Sequence, residues 1–323
     1  MQTFYDFVFD KYSHNRDTNV RIHTMPFEES CIQMLDGSHF FPKELQQDAL
    51  KNLKTCHRTS YEHEGITVNA VFATPGASTK TVERFTKILH WMNFVMTLLK
   101  SWTVKFDKTQ LTVVLLDMDA PRRVPGSSSK FRLNDPRSAA MPSPLHVNGG
   151  VTYFRQDHVF VFRREDMLKV LIHELIHFFD LDYKWGLGGD QAVLGTMLMT
   201  NSVNANEAFV ESLAIAIHVC VFCIATGVKR EKVLDVFEQE MQYLLQQALC
   251  ITVIYIHSIK KTGGRTLIEK SSASAYYVLK TALLMNDKYW TFLEKNRYNI
   301  GEVGRFREFV RVCEESIVSG SEF

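Results

Sequence analysis

An excess of charge of either sign is missing: 37 Lys and Arg stand against 36 Asp and Glu in 323 residues, a formal net charge of +1. That balance argues against wholesale electrostatic capture of nucleic acid. Cysteine is also sparse. The six residues Cys31, Cys56, Cys220, Cys223, Cys250 and Cys313 are scattered through the chain and cannot make the dense staple of a small secreted domain, so they are expected to be reduced. The opening MQTFYDFVFDKYSHNR lacks a basic start followed by an apolar run and a small-residue cleavage site, which favours a cytoplasmic setting. The apolar run LAIAIHVCVFCIATGV, from Leu213 to Val228, has sixteen residues. A bilayer span needs roughly 20, so the run predicts a buried helix and no transmembrane segment. Cys220 and Cys223 form a CxxC inside it, which reads as core packing rather than metal or redox chemistry. No internal repeat is visible.

What is present suits a folded enzyme: 46% of residues are hydrophobic and 23% charged, on a chain long enough for one large two-lobed domain or two small ones. GITVNAVFAT (65–74) is rich in β-branched residues, and LTVVLLDM (111–118) is an apolar run suited to a buried strand. Between them Ile88, Met92, Met96 and Leu99 recur at helical spacing, with Ser78 or Thr79 as the cap. Residues 119–144 carry five prolines and the cations Arg122, Arg123, Lys130, Arg132 and Arg137, and read as a long exposed loop. Asn148-Gly149 then signals a turn before two strand-like runs, VTYF and HVFVFR. A helix follows, with Asp166 as its cap and an apolar stripe of Leu168, Leu171, Ile172, Leu175, Ile176 and Phe179. From Asn204 onward the periodicity is helical, interrupted at Lys260 to Arg265 by Gly263-Gly264. The final SGSEF (319–323) reads as a cloning remnant.

Within the helix after Asp166 stands His173-Glu174-Leu175-Ile176-His177, an HExxH. Four residues advance a helix by about 400°, so both imidazoles leave one face within reach of one ion. A structural helix is the bland alternative, but a core would then have to bury Glu174, which is costly without a partner. A catalytic zinc takes three protein ligands and keeps one position open. Glu207, in Asn206-Glu207-Ala208-Phe209-Val210-Glu211, is the best third ligand, and Glu211 one turn later can orient a ligand histidine. Asp180 and Asp182 are the alternatives.

At these residues the chain resembles the gluzincin branch of zinc metallopeptidases, in which an HExxH helix is completed by a glutamate on a later helix, often within NExxx(D/E). The likeness is local, covering Asn148 to about Glu211, with a longer interval from His177 to Glu207 than thermolysin-like members have. It implies one zinc per chain on His173, His177 and Glu207, and Glu211 behind His173. It also implies a substrate-aligning strand at Gly149, Gly150, Val151 and Thr152, which would take a peptide by strand addition.

The chemistry expected is peptide hydrolysis: zinc lowers the pKa of its water to about 7, Glu174 takes the proton, and the metal polarises the carbonyl. The oxyanion still needs a donor, for which Tyr276 and Tyr277 are the candidates and Tyr183 and His257 the runners-up. The expected fold is α+β and two-lobed, zincin-like. Residues 1–180 would form a mixed upper lobe with the HExxH helix and 181–318 a mainly helical lower lobe with the third ligand. The rival reading is an inactive binding or scaffold protein on the same fold, against which the presence of Glu174 speaks. Nucleic-acid binding through the basic loop is disfavoured, because the loop lacks regular aromatic interleaving.

Overall fold

A computed structural model describes residues 1–13, 20–35, 38, 41, 43–120, 149–153, 156–183, 188–201, 203–263 and 272–320. Arg122, Arg123, Lys130, Arg132 and Arg137 of the basic loop, together with Asn148, Gly264, Arg265 and residues 321–323, lie outside them. The fold is mixed α+β, in two compact units.

One unit comprises Asp10–Ala120 and Gly149–Asp180 among the described residues. It is built on a six-stranded sheet ordered β1-β2-β3-β4-β6-β5, formed by β1 (His23–Pro26), β2 (Thr55–His63), β3 (Ile66–Thr74), β4 (Gln110–Leu116), β5 (Gly150–Thr152) and β6 (His158–Val161). Glu64 and Gly65, with φ of 52° and 74°, close the β2–β3 hairpin with the left-handed pair that matches strand twist. The pairs β3–β4 and β4–β6 are parallel, and β5 returns antiparallel to β6 at the edge. A parallel pair needs a crossover. Helix α3 (Thr79–Lys100) supplies the one between β3 and β4, and the Ser78 hydroxyl caps it by accepting from Thr81 N.

The sheet's alternation separates two cores. Val114, Leu116 and Phe160 face a cluster with Phe41, Leu45 and Ala49, the last two on helix α2 (Lys43–Asn52). On the other side α3 packs on β2 and on α4 (Met167–Phe178), and α4 packs on β5 and β6. The strand ends are tied by charge. Asp117, just past β4, accepts from Arg84 Nη1 at 2.6 Å and from Arg164 Nε at 2.8 Å.

The other unit takes in Met1–Phe9 and the chain from Leu181 onward. Its described elements there are helices: α5 (Gly188–Met197), α6 (Ala205–Ala225), α7 (Val233–Thr262), a π-helical stretch at Ser274–Leu279, α8 (Lys280–Leu284), α9 (Asp287–Lys295) and α10 (Val303–Gly320). They contact α6 from several sides, through α7, the π-helical stretch and α8. Accordingly α6, apolar and long enough to cross a membrane by composition alone, has 78% of its apolar window buried inside the protein, as a core helix does. Cys220 and Cys223 are buried in it and form no disulfide. An aromatic cluster of Phe4, Tyr5, Trp290 and Tyr298 fixes the first turns of α1 (Gln2–Ser13) to this unit.

Candidate metal centre

Helix α4 carries the HExxH, and it is buried nearly all round rather than along one stripe. His173 and Glu174 are only 5% and 4% exposed, and His177 is half-buried. The helical spacing brings His173 Nε2 to 3.2 Å from His177 Nε2, with the rings edge-on at 69°. Asp166 occupies the N-cap position with φ −119° and ψ 22°, and its side chain does not make the capping bond that the sequence leads one to expect; its carbonyl starts the helix by accepting from Val170 N. At the other end Asp180 takes a left-handed φ of 55°, which stops the helix. Its carboxylate lies 3.3 Å from Lys108 Nζ, so the alternative ligand Asp180 is engaged by a cation within its own unit.

The predicted aligning segment adjoins this helix. Gly149 O accepts from Phe162 N, Val151 is buried, and the Thr152 hydroxyl donates to Glu174 O at 3.1 Å. Gly150 is the residue whose importance the sequence does not disclose. A Cβ there would lie 2.7 Å from Phe160 O, 2.8 Å from Glu174 Oε1 and 2.8 Å from Val170 Cγ1. Only glycine lets the edge strand pass so close to the Glu174 carboxylate.

In the helical unit, α6 presents the second half of the motif. Asn204 caps it, its amide oxygen accepting from Glu207 N. Asn206 is buried and clamps the backbone of Tyr183, donating from Nδ2 to Tyr183 O and accepting from Tyr183 N at 3.1 Å. Tyr183 itself is buried, its ring stacked on Phe306 at 4.7 Å.

Glu207 and Glu211 are matched by a second pair at the same spacing. The Tyr276 hydroxyl donates to Glu207 Oε2 at 2.7 Å, and Lys280 Nζ lies 3.4 Å from Glu211 Oε1, the latter pair almost wholly buried. Tyr276 and Lys280 stand four residues apart, as do Glu207 and Glu211, so two adjoining helical segments form a ladder with two rungs. The lower-numbered partner of each rung lies 69 residues upstream of the other. Tyr276 sits in the π-helical stretch, a rare winding that often accompanies functional sites. Tyr277, the other tyrosine singled out from the sequence, is half-buried with Lys280 Nζ 5.6 Å from its ring centroid. His257, on α7, is half-buried. Lys280 carried no signal in the sequence, since one lysine in an apolar helix reads as a solvated head on a buried stem.

Comparison with protein-family models, with curated proteins and with solved structures finds no match to this chain.

Proposed function

We propose that the protein is a zinc-dependent peptidase of gluzincin type, its one zinc ion held by His173, His177 and Glu207. One observation carries the reading. Two imidazole nitrogens bound to a tetrahedral zinc at about 2.0–2.1 Å stand roughly 3.3 Å apart, and His173 Nε2 and His177 Nε2 stand 3.2 Å apart on one buried helix. The donor set, two imidazoles and a carboxylate, is that of a catalytic rather than a closed structural site.

Zinc, when bound, supplies an acidified water and a Lewis acid for the scissile carbonyl. Glu174 is the general base: its carboxylate accepts a proton from the attacking water and delivers it to the leaving nitrogen. Gly149, Gly150, Val151 and Thr152 align a peptide or protein substrate, since β5 is a sheet edge among the described residues and has one side left for an added strand. The bond from Tyr276 to Glu207 makes Tyr276 a positioning residue for the third ligand and commits its one hydroxyl proton, so Tyr277 is left to supply the oxyanion donor. Glu211 orients His173 from behind, with Lys280 holding its carboxylate in place. In this reading the two units are the lobes of a zincin-like fold, and the setting is cytoplasmic.

The test is Glu174→Gln, which keeps the size of the side chain and removes its basicity. Zinc content should match wild type while hydrolysis of a peptide library at neutral pH disappears. Hydrolysis at the wild-type rate in Glu174→Gln would remove the proposed base, and none by zinc-loaded wild type would favour an inactive zincin-fold scaffold.

A further inference from the structure

Two cysteines lie apart in sequence from the metal ligands and adjoin each other. Cys31, in the 3-10 turn Glu29–Cys31, is half-buried, and its Sγ is 3.9 Å from Sγ of the fully buried Cys56 on β2. Arg58, on the same face of β2, donates from Nη2 to Cys31 Sγ at 3.1 Å, and Glu28 Oε2 lies 3.5 Å from the same nitrogen. A thiol, a guanidinium aimed at its sulfur and a second thiol within reach are the three parts of an oxidisable pair.

We propose that Cys31 and Cys56 form a peroxide-reactive dithiol, Cys31 attacking and Cys56 resolving. The Cys31 thiolate attacks one oxygen of hydrogen peroxide or an organic hydroperoxide. The O–O bond breaks, the sulfur is oxidised by two electrons to sulfenic acid, and the departing oxygen takes a proton and leaves as water or alcohol. Cys56 then gives up its proton and attacks the Cys31 sulfur. The S–S bond forms as the S–O bond breaks, and the hydroxide leaves as water with that proton. Two thiols and one hydrogen peroxide give one disulfide and two waters.

The electrostatics agree with this division of labour. The hydrogen bond with Cys56, together with the Arg58 guanidinium, holds the Cys31 thiol well below the ordinary cysteine range, whereas the bond to Cys31 and burial push Cys56 up. Cys250, the other half-buried cysteine, is pushed up by burial and serves as an internal control.

The experiment uses the reduced full-length chain. Iodoacetamide at neutral pH should label Cys31 about tenfold faster than Cys250. Hydrogen peroxide should then give a Cys31–Cys56 link in a non-reducing digest, with Cys220, Cys223, Cys250 and Cys313 still thiols. In Cys56→Ser, dimedone should capture a sulfenic acid at Cys31, and in Arg58→Gln the Cys31 labelling rate should fall toward that of Cys250. Equal labelling of Cys31 and Cys250 in wild type, or oxidation of Cys31 without a link to Cys56, would overturn the proposal, and neither observation depends on a variant that might misfold.

Discussion

Gly150→Ala tests the closeness of the edge strand to the proposed base. The new Cβ would meet Phe160 O at 2.7 Å, Glu174 Oε1 at 2.8 Å and Val170 Cγ1 at 2.8 Å. Comfortable contact with carbon lies at about 3.5–4.0 Å, so the neighbours must retreat by roughly 0.7–1.3 Å. Phe160 O cannot turn aside, because it belongs to the backbone pairing of β5 with β6. The shift therefore falls on β5 as a whole or on the Glu174 carboxylate. Overpacking of this kind costs about 1–3 kcal/mol, or about 1–4 °C in Tm for a chain of 323 residues. Displacing a catalytic group by about 1 Å costs on the order of 100-fold in rate. Thermal unfolding monitored by circular dichroism reads the first effect, and peptide hydrolysis at saturating zinc reads the second. A variant with wild-type Tm and wild-type hydrolysis would refute both the packing argument and the assignment of Glu174.

Two further variants probe the ladder in the helical unit. Glu211→Ala deprives the buried Lys280 of its carboxylate and should lower stability by about 3–5 kcal/mol in urea titrations, with much of the loss recovered in Glu211→Ala/Lys280→Met; an unchanged urea midpoint would show that the pair carries no such weight. Tyr276→Phe removes the 2.7 Å bond to Glu207 Oε2 and should weaken zinc about 10-fold or more in competition with a chromophoric chelator. Unchanged affinity would leave the Tyr276 hydroxyl with no part in setting Glu207.

The local features of the fold were legible wherever one periodicity ran unbroken. The β-branched run 65–74 is β3 at Ile66–Thr74, the apolar run 111–118 contains most of β4, and the helix between them is capped by Ser78 as its hydroxyl allows. The HExxH helix begins at Met167, one residue after the expected cap. The failures are of another kind. Asp166 stands at the right position yet makes no capping bond, because capping depends on the backbone and rotamer that the preceding loop imposes. The one-sided stripe of α4 proved too modest a description, since His173 and Glu174 are buried as well as the apolar residues. Pairing of Lys280 with Glu211, of Tyr276 with Glu207 and of Arg58 with Cys31 joins residues 27 to 69 positions apart, and no local pattern encodes such partners. The constraint on Gly150 is equally non-local, arising from a strand and a helix that meet only once folded. The π-helical winding at Ser274–Leu279 has no sequence signature that distinguishes it from an α-helix.

The central claim is that His173, His177 and Glu207 hold one zinc ion. X-ray absorption at the zinc edge of the zinc-loaded chain measures it most directly. The account predicts one zinc per chain with two imidazole nitrogens at about 2.0–2.1 Å and carboxylate or water oxygen at about 2.0–2.2 Å, and an imidazole contribution that halves in His177→Ala. A first shell containing sulfur at about 2.3 Å, or one that keeps both imidazoles in His177→Ala, would contradict it.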